Sequence, residues 1–141
     1  MNTIARGTVA ELAVAKKLAE QNIVVSLPLS HSSSYDLIAD SDGLKRVQVK
    51  RAYKVNNHGK EQFCVETRRI LVKHSGKKGS IARSYEPDSF DFLVAVDVEN
   101  DDYWIIPFEI TTEYKAQIYL RTAKMDNYKN QWVLMGIDVS S

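Results

Sequence analysis

YDLIADSDGLKRVQVKR, residues 35–51, holds two short apolar runs joined by a polar turn. Asp40-Ser41-Asp42-Gly43 is strong turn chemistry, because Asp and Gly tolerate the positive φ that a tight hairpin demands. Residues 35–39 therefore read as one strand and 44–53 as its antiparallel partner. Strand side chains alternate between faces, so Gln48 and Lys50 project together while Val47 and Val49 take the other side. Asp36 stands inside an apolar strand, where an ionised carboxylate needs a cation, donors or a metal. Counting outward from the turn, Asp36 lies six residues before Asp42, and Gln48 and Lys50 lie five and seven after Gly43. A symmetric hairpin thus brings a carboxylate, an amide oxygen and an ammonium to one spot. Each piece alone has a plainer reading: Asp36 at an exposed position, and RVQVK as an edge strand with its polar face in water.

Working outward, residues 4 to about 21 read as a helix. Alanine is frequent, and Val9, Leu12, Ala15, Leu18 and Ala19 recur at helical spacing. Asn22 is a plausible stop. Residues 23–30 read as a strand with Pro28 near its end, and 31–34 as a loop. After Asn56-Asn57-His58-Gly59, another turn signal, residues 61–67 read as a third strand of the same meander. Residues 73–84 are rich in Gly, Ser and Lys and read as a mobile basic loop. FDFLVAVDV (90–98) reads as a central apolar strand, YWIIPF (103–108) follows it after a turn, and 128–135 reads as a helix or a last strand. The expectation is one α+β domain over 1–141, or α/β with a mixed central sheet.

A chain of 141 residues can bury a core without staples. Its single cysteine, Cys64, excludes an internal disulfide and a cysteine-rich zinc site, and reads as a small buried strand residue. His31, His58 and His74 lack zinc-ligand spacing and read as surface residues. Charged Glu11, Lys16, Lys17 and Glu20 break up the N-terminal apolar positions, so no signal peptide is expected. No run reaches the roughly 18 apolar residues of a membrane span, and the expectation is a soluble, cytoplasmic protein. The net charge is only +1, but it is unevenly spread. Between residues 45 and 83 twelve Lys/Arg face only Glu61 and Glu66, whereas from 86 onward eleven Asp/Glu face four Lys/Arg. Such asymmetry suits a face for a polyanion, although two ordinary solvated surfaces would also show it.

The helix with Glu11, the strand with Asp36 and the Gln48-x-Lys50 strand together resemble the PD-(D/E)XK nuclease superfamily. Its signature is a carboxylate on one strand and an acid-x-lysine on the next, preceded by a helix with a glutamate. GTVAELAVAKKL (7–18) and residues 35–52 look like the branch encoded within group I introns, the homing endonucleases; they also look like archaeal Holliday junction resolvases. The resemblance covers residues 5–53 well. Gln48 departs from the commonest pattern, which has Asp or Glu there. The resemblance implies a restriction-endonuclease-like core, a mixed central sheet flanked by helices. It implies a site of Glu11, Asp36, Gln48 and Lys50 that hydrolyses double-stranded DNA with Mg²⁺ or Mn²⁺. Asp36, Glu11 and the Val49 carbonyl would be the metal ligands. With Gln48 neutral, the site carries two formal negative charges, not three, so metal affinity without substrate should be weak. Arg51, Lys54, Lys60, Arg68, Arg69, Lys73, Lys77, Lys78 and Arg83, in a basic insertion around 51–84, would track the DNA backbone. Cutting both strands needs two active sites, hence a homodimer or homotetramer. A junction resolvase and a non-catalytic DNA-binding module are the alternatives.

Overall fold

The computed structural model describes residues 2–30, 34–72, 80–84 and 89–138. Helix α1, Thr3–Glu20, opens the fold; the Asn2 side chain caps it by accepting from the Ala5 N–H at 2.8 Å. Asn22 ends it in the left-handed region at φ 63°, the stop expected of an Asn there. Its buried stripe is Ala10, Val14 and Leu18. Leu12, expected on the apolar stripe, is 63% exposed instead. In so apolar a helix the packing against the sheet selects the buried face, since periodicity allows more than one.

The central sheet has the order β1-β2-β3-β8-β9. Its strands are β1 (Val24–Ser26), β2 (Leu37–Asp40), β3 (Leu44–Arg51), β8 (Phe92–Asp97) and β9 (Asp102–Pro107). The Asp40–Leu44 turn takes positive φ at both Asp42 and Gly43, 51° and 99°. The β2–β3 hairpin therefore forms as its turn residues dictate. β1 is shorter than expected, because Pro28 has no N–H with which to extend a ladder.

β3 lies at the centre of the sheet, which removes the wet-edge reading of RVQVK. It pairs antiparallel with β2 and parallel with β8. The expected three-strand meander is corrected here. Past Ala52 the chain leaves the central sheet and starts β4 (Tyr53–Asn57), whose partner is β5 (Lys60–Glu66). With β10 (Gln117–Tyr119) these make a second, three-stranded sheet of order β10-β5-β4. The beneficiary is β8, buried at every residue, which needs partners on both edges and cover on both faces.

The supposed basic loop is also corrected in part. Ser80–Ser84 (β7) is a strand that pairs antiparallel with Arg68–Val72 (β6) as a two-stranded ribbon. Residues 73–79 lie outside the described residues. A single turn of helix, α2 (Phe108–Thr111), follows β9. The segment 128–135 forms no strand; two short 3-10 helices, Met125–Tyr128 and Trp132–Met135, lie there.

Two apolar layers hold the central sheet. One joins Ala10, Val14 and Leu18 of α1 to Leu37, Val47, Val49 and Val94. The other joins Phe63, Val65 and Ile118 of the second sheet to Leu93, Ala95, Trp104 and Ile106. Trp104 and Trp132 are core residues, and Cys64 is a free, fully buried strand residue, as expected. Among the described residues no helix is long and apolar enough to cross a membrane. Leu18→Ala should cost about 2–5 kcal/mol, whereas Leu12→Ala should stay within about 0.5 kcal/mol; urea unfolding of the two variants checks which helix face is packed.

Candidate active site

The site forms where β2 stops pairing with β3. The pairing ends at Leu37 opposite Val47. One residue earlier, the Asp36 N–H donates to the Val47 carbonyl at 2.8 Å. The Asp36 carboxylate then takes over from the missing strand: its Oδ2 accepts the Val49 N–H at 2.7 Å. An N–H bond to a carboxylate is charge-assisted and directional, so β3 itself holds Asp36. A strand residue's N–H and C=O leave on the same side, so the Val49 carbonyl opens toward Asp36.

Glu11 comes from α1, one residue after the buried Ala10, on the rim of the packed face. Its carboxyl is in hydrogen-bond contact with that of Asp36. Burial, then this hydrogen bond, then the Asp36 charge push its pKa up from 4.5 to about 7. Two carboxyl groups this close do not both ionise freely without a cation between them.

Gln48 is 8% exposed, and its Nε2 approaches the Val49 carbonyl at 3.5 Å, the outer limit of a hydrogen bond. A carboxylate in this place could make no such approach to a carbonyl, and would add a third negative group to the pair. Lys50 is half-buried. Burial pushes its ammonium below its ordinary pKa, and the nearby charges of Asp36 and Glu66 oppose that shift. The cluster thus gathers Glu11, Asp36, Gln48, Val49 and Lys50, five positions singled out in the sequence.

Glu66, on β5, was read only as one of two acids among the basic residues, and Tyr53 only as a residue that could add to DNA contact; the Tyr53 hydroxyl donates to Glu66 Oε1 at 2.8 Å. A faint signal existed: Gln62, Cys64 and Glu66 share one strand face, two of them polar. The expected DNA-contacting residues are scattered. Arg51 Nη2 donates to Glu99 at 2.9 Å across the turn after β8. Lys54 and Glu61 form an exposed pair at 3.5 Å, and Lys60 is exposed at the β4–β5 turn. Arg68, Arg69 and Arg83 lie on the β6–β7 ribbon, with Arg69 opposite Arg83. Lys73, Lys77 and Lys78 fall outside the described residues. Asp91 and Asp97 are strand-end residues, held to Arg46 and Asn100.

Among the described residues no group of three or more His, Cys, Asp or Glu could hold a metal ion. A divalent cation at this site would therefore rest on two carboxylates and on neutral oxygens from Val49 and Gln48. An all-oxygen set suits a hard cation that keeps several waters.

The Glu11 pKa has a consequence for stability. Its folded value lies above its unfolded one, so its contribution is fully present below pH 4.5 and lost as pH rises through about 7. Metal-free wild type should therefore lose stability relative to Glu11→Gln between these limits, and thermal melts of the two proteins in chelator across that range read the difference.

Three comparisons bear on the arrangement. A family model described as PD-(D/E)XK endonuclease matches residues 1–136. A solved structure titled as that of a bacterial homing endonuclease, I-Ssp6803I, superposes with a TM-score of 0.83 at 25% identity, covering 96% of this chain and 94% of that one. No curated protein sequence matches the chain. The hairpin, the helix glutamate and the match over nearly the whole length agree: the chain belongs to the PD-(D/E)XK endonuclease family.

Proposed function

We propose that the protein is a site-specific endonuclease of the homing type, hydrolysing phosphodiester bonds of double-stranded DNA with Mg²⁺ or Mn²⁺. The observation that carries this is the Glu11–Asp36 carboxyl pair beside Lys50, at the end of β3. The likeness to a homing endonuclease over 96% of the chain supports the choice within the family over a junction resolvase. The β6–β7 ribbon supports DNA contact, because a two-stranded ribbon fits the major groove, about 12 Å wide. Arg68, Arg69 and Arg83 would act from it, with Lys54, Lys60, Lys73, Lys77 and Lys78 along the backbone.

Phosphodiester hydrolysis needs an oriented water, neutralisation of charge on the phosphate oxygens, and help for the leaving oxygen. The residues fit a divalent cation, since burial and the neighbouring Asp36 both disfavour the charged form of Glu11, and a cation between the two carboxyl groups would offset that. Asp36 and Glu11 would hold it, with the Val49 carbonyl. When bound, the cation supplies Lewis acidity and a more acidic water. Asp36 is kept in place by the Val49 N–H, so its orientation costs nothing at the moment of reaction. Lys50 brings a positive charge, in a half-buried setting, to where negative charge grows on the phosphate. Gln48 adds an amide without adding charge. Two such sites are needed to cut both strands, so a homodimer or homotetramer acts. The exposed Val24, Leu27, Leu29 and Leu44 support self-association, being apolar surface of the kind that contacts cover.

Fragmented genomic DNA incubated with protein and Mg²⁺, then sequenced at its ends, should give recurring cut sites. EDTA, Asp36→Ala or Lys50→Ala should abolish them, with a loss of at least ~10²-fold for Lys50→Ala. Recurring ends that persist in both variants would remove the reading. Binding to the recovered site should weaken with salt at a log–log slope near about −5 if about six phosphates are neutralised; fluorescence titrations at several salt concentrations measure it.

A further inference from the structure

We propose that Arg51 is a phosphate-binding arm at the open end of β3, and that in the free protein the Glu99 carboxylate stands where a DNA phosphate binds. The inference deepens the nuclease reading above and rests on it. Lys50 and Arg51 are the last two residues of β3. Strand side chains alternate between faces, so the two cations leave the sheet end on opposite sides. The register agrees with this split. Lys50 is level with Ala95, of the apolar layer under the second sheet, and Arg51 with Val96, of the layer under α1. α1 also carries Glu11, so Arg51 stands on the face from which that acid enters the site. A DNA strand laid across the end of β3 meets a cation on each side of the sheet.

The contact between Arg51 and Glu99 has the properties of one that is exchanged. It is a single bond, from Arg51 Nη2 to Glu99 Oε1 at 2.9 Å. The two side chains are 23% and 70% exposed. An ion pair so open to water contributes little to stability, because water competes for both charges. The other arm of the guanidinium is a cost. Among the described residues Nη1 is buried and has no hydrogen-bond partner, and a buried donor left unpaired opposes the arrangement. Arg51 is therefore held by a weak tie while one of its own donors goes unsatisfied. A phosphate can engage both arms of the planar fork at once, which the single Glu99 oxygen does not.

The turn after β8 sets Glu99 in this place. Asp97, buried at the strand end, accepts from the Asn100 side chain at 2.7 Å and from its N–H at 3.4 Å. Asp101 completes the turn in the left-handed region at φ 55°. The acids of the turn are matched to cations: Asp101 to Lys17 at 3.1 Å, Asp102 to Lys129 at 3.6 Å, and Glu99 to Arg51. Of these cations, Arg51 is the one that belongs to the catalytic strand. Glu99 thus keeps the arm in position until a polyanion, with many phosphates against one carboxylate, displaces it.

The test is binding to the recovered site in EDTA, by fluorescence titration, with wild type, Glu99→Gln, Arg51→Ala and the double variant, each checked by a circular dichroism melt. Arg51→Ala should weaken binding ~10- to 100-fold and make the log–log salt slope shallower by about one. Glu99→Gln should tighten binding about 2- to 5-fold, the strength of an exposed ion pair. In the double variant that gain should vanish, because Glu99 then has no arm to hold. Should Arg51→Ala fail to fold, Arg51→Gln takes its place in the cycle. An equal gain from Glu99→Gln with and without Arg51 overturns the proposal, since Glu99 then only repels DNA at a distance. Unchanged binding in either single variant overturns it and leaves a structural tie between β3 and the turn. Weaker binding in Glu99→Gln overturns it in favour of a Glu99 that orients Arg51. In these three cases wild type still binds and cuts, so the nuclease reading stands. A wild type that neither binds nor cuts DNA overturns that reading and this inference with it.

Discussion

Two carboxyl groups pressed together at the edge of a core oppose folding, and the rest of this site is arranged around that opposition. Glu11 and Asp36 meet where β2 ends, and Glu11 answers by holding its proton to about pH 7. Asp36 is the member that cannot move away. Its Oδ2 carries the Val49 N–H, which would otherwise be an orphan donor at the end of the hairpin. Losing that bond would leave a buried backbone group unsatisfied. The same contact thus completes the sheet and orients the acid. Strain of this kind is common where function demands charge, and the surrounding structure has to hold it.

The surrounding structure does so through β3. It is flanked on one side by a local hairpin and on the other by the fully buried β8. α1 covers one face through Ala10, Val14 and Leu18, which brings Glu11 to the rim. The second sheet covers the other face through Phe63, Val65 and Ile118. Two packing relations, helix on sheet and strand on strand, each deliver one acidic residue to the site.

That division explains what could be read from residues alone. Asp36, Gln48 and Lys50 were legible because the hairpin is local, its turn residues are diagnostic and strand alternation is strict. Glu11 was legible only through its resemblance to a family pattern, since a helix glutamate has no signature of its own. The pairing of β3 with β8 was not legible, because 40 residues or so of chain intervene and parallel partners carry no register marker. β4 was missed, its first residue Tyr53 being read as the last of β3, since nothing in Arg51-Ala52-Tyr53 announces a change of sheet. Glu66 depends on that change and on the β4–β5 register, so it looked like one more surface charge. Leu12 was misplaced for a similar reason: the Ala-rich helix offers several apolar stripes, and only the sheet selects among them. The basic 73–84 segment looked loose by composition, yet Ser80–Ser84 finds a partner in β6.

The central claim is that Glu11 and Asp36 are a pair built for one divalent cation. Titration of Mn²⁺ into the protein near pH 6.5, followed by calorimetry in buffers of different ionisation enthalpy, tests it most directly. The account predicts weak binding at one site per chain, release of a proton as Glu11 ionises, and loss of both signals in Asp36→Ala. Binding of equal strength in Asp36→Ala, or binding with no proton released, would contradict it.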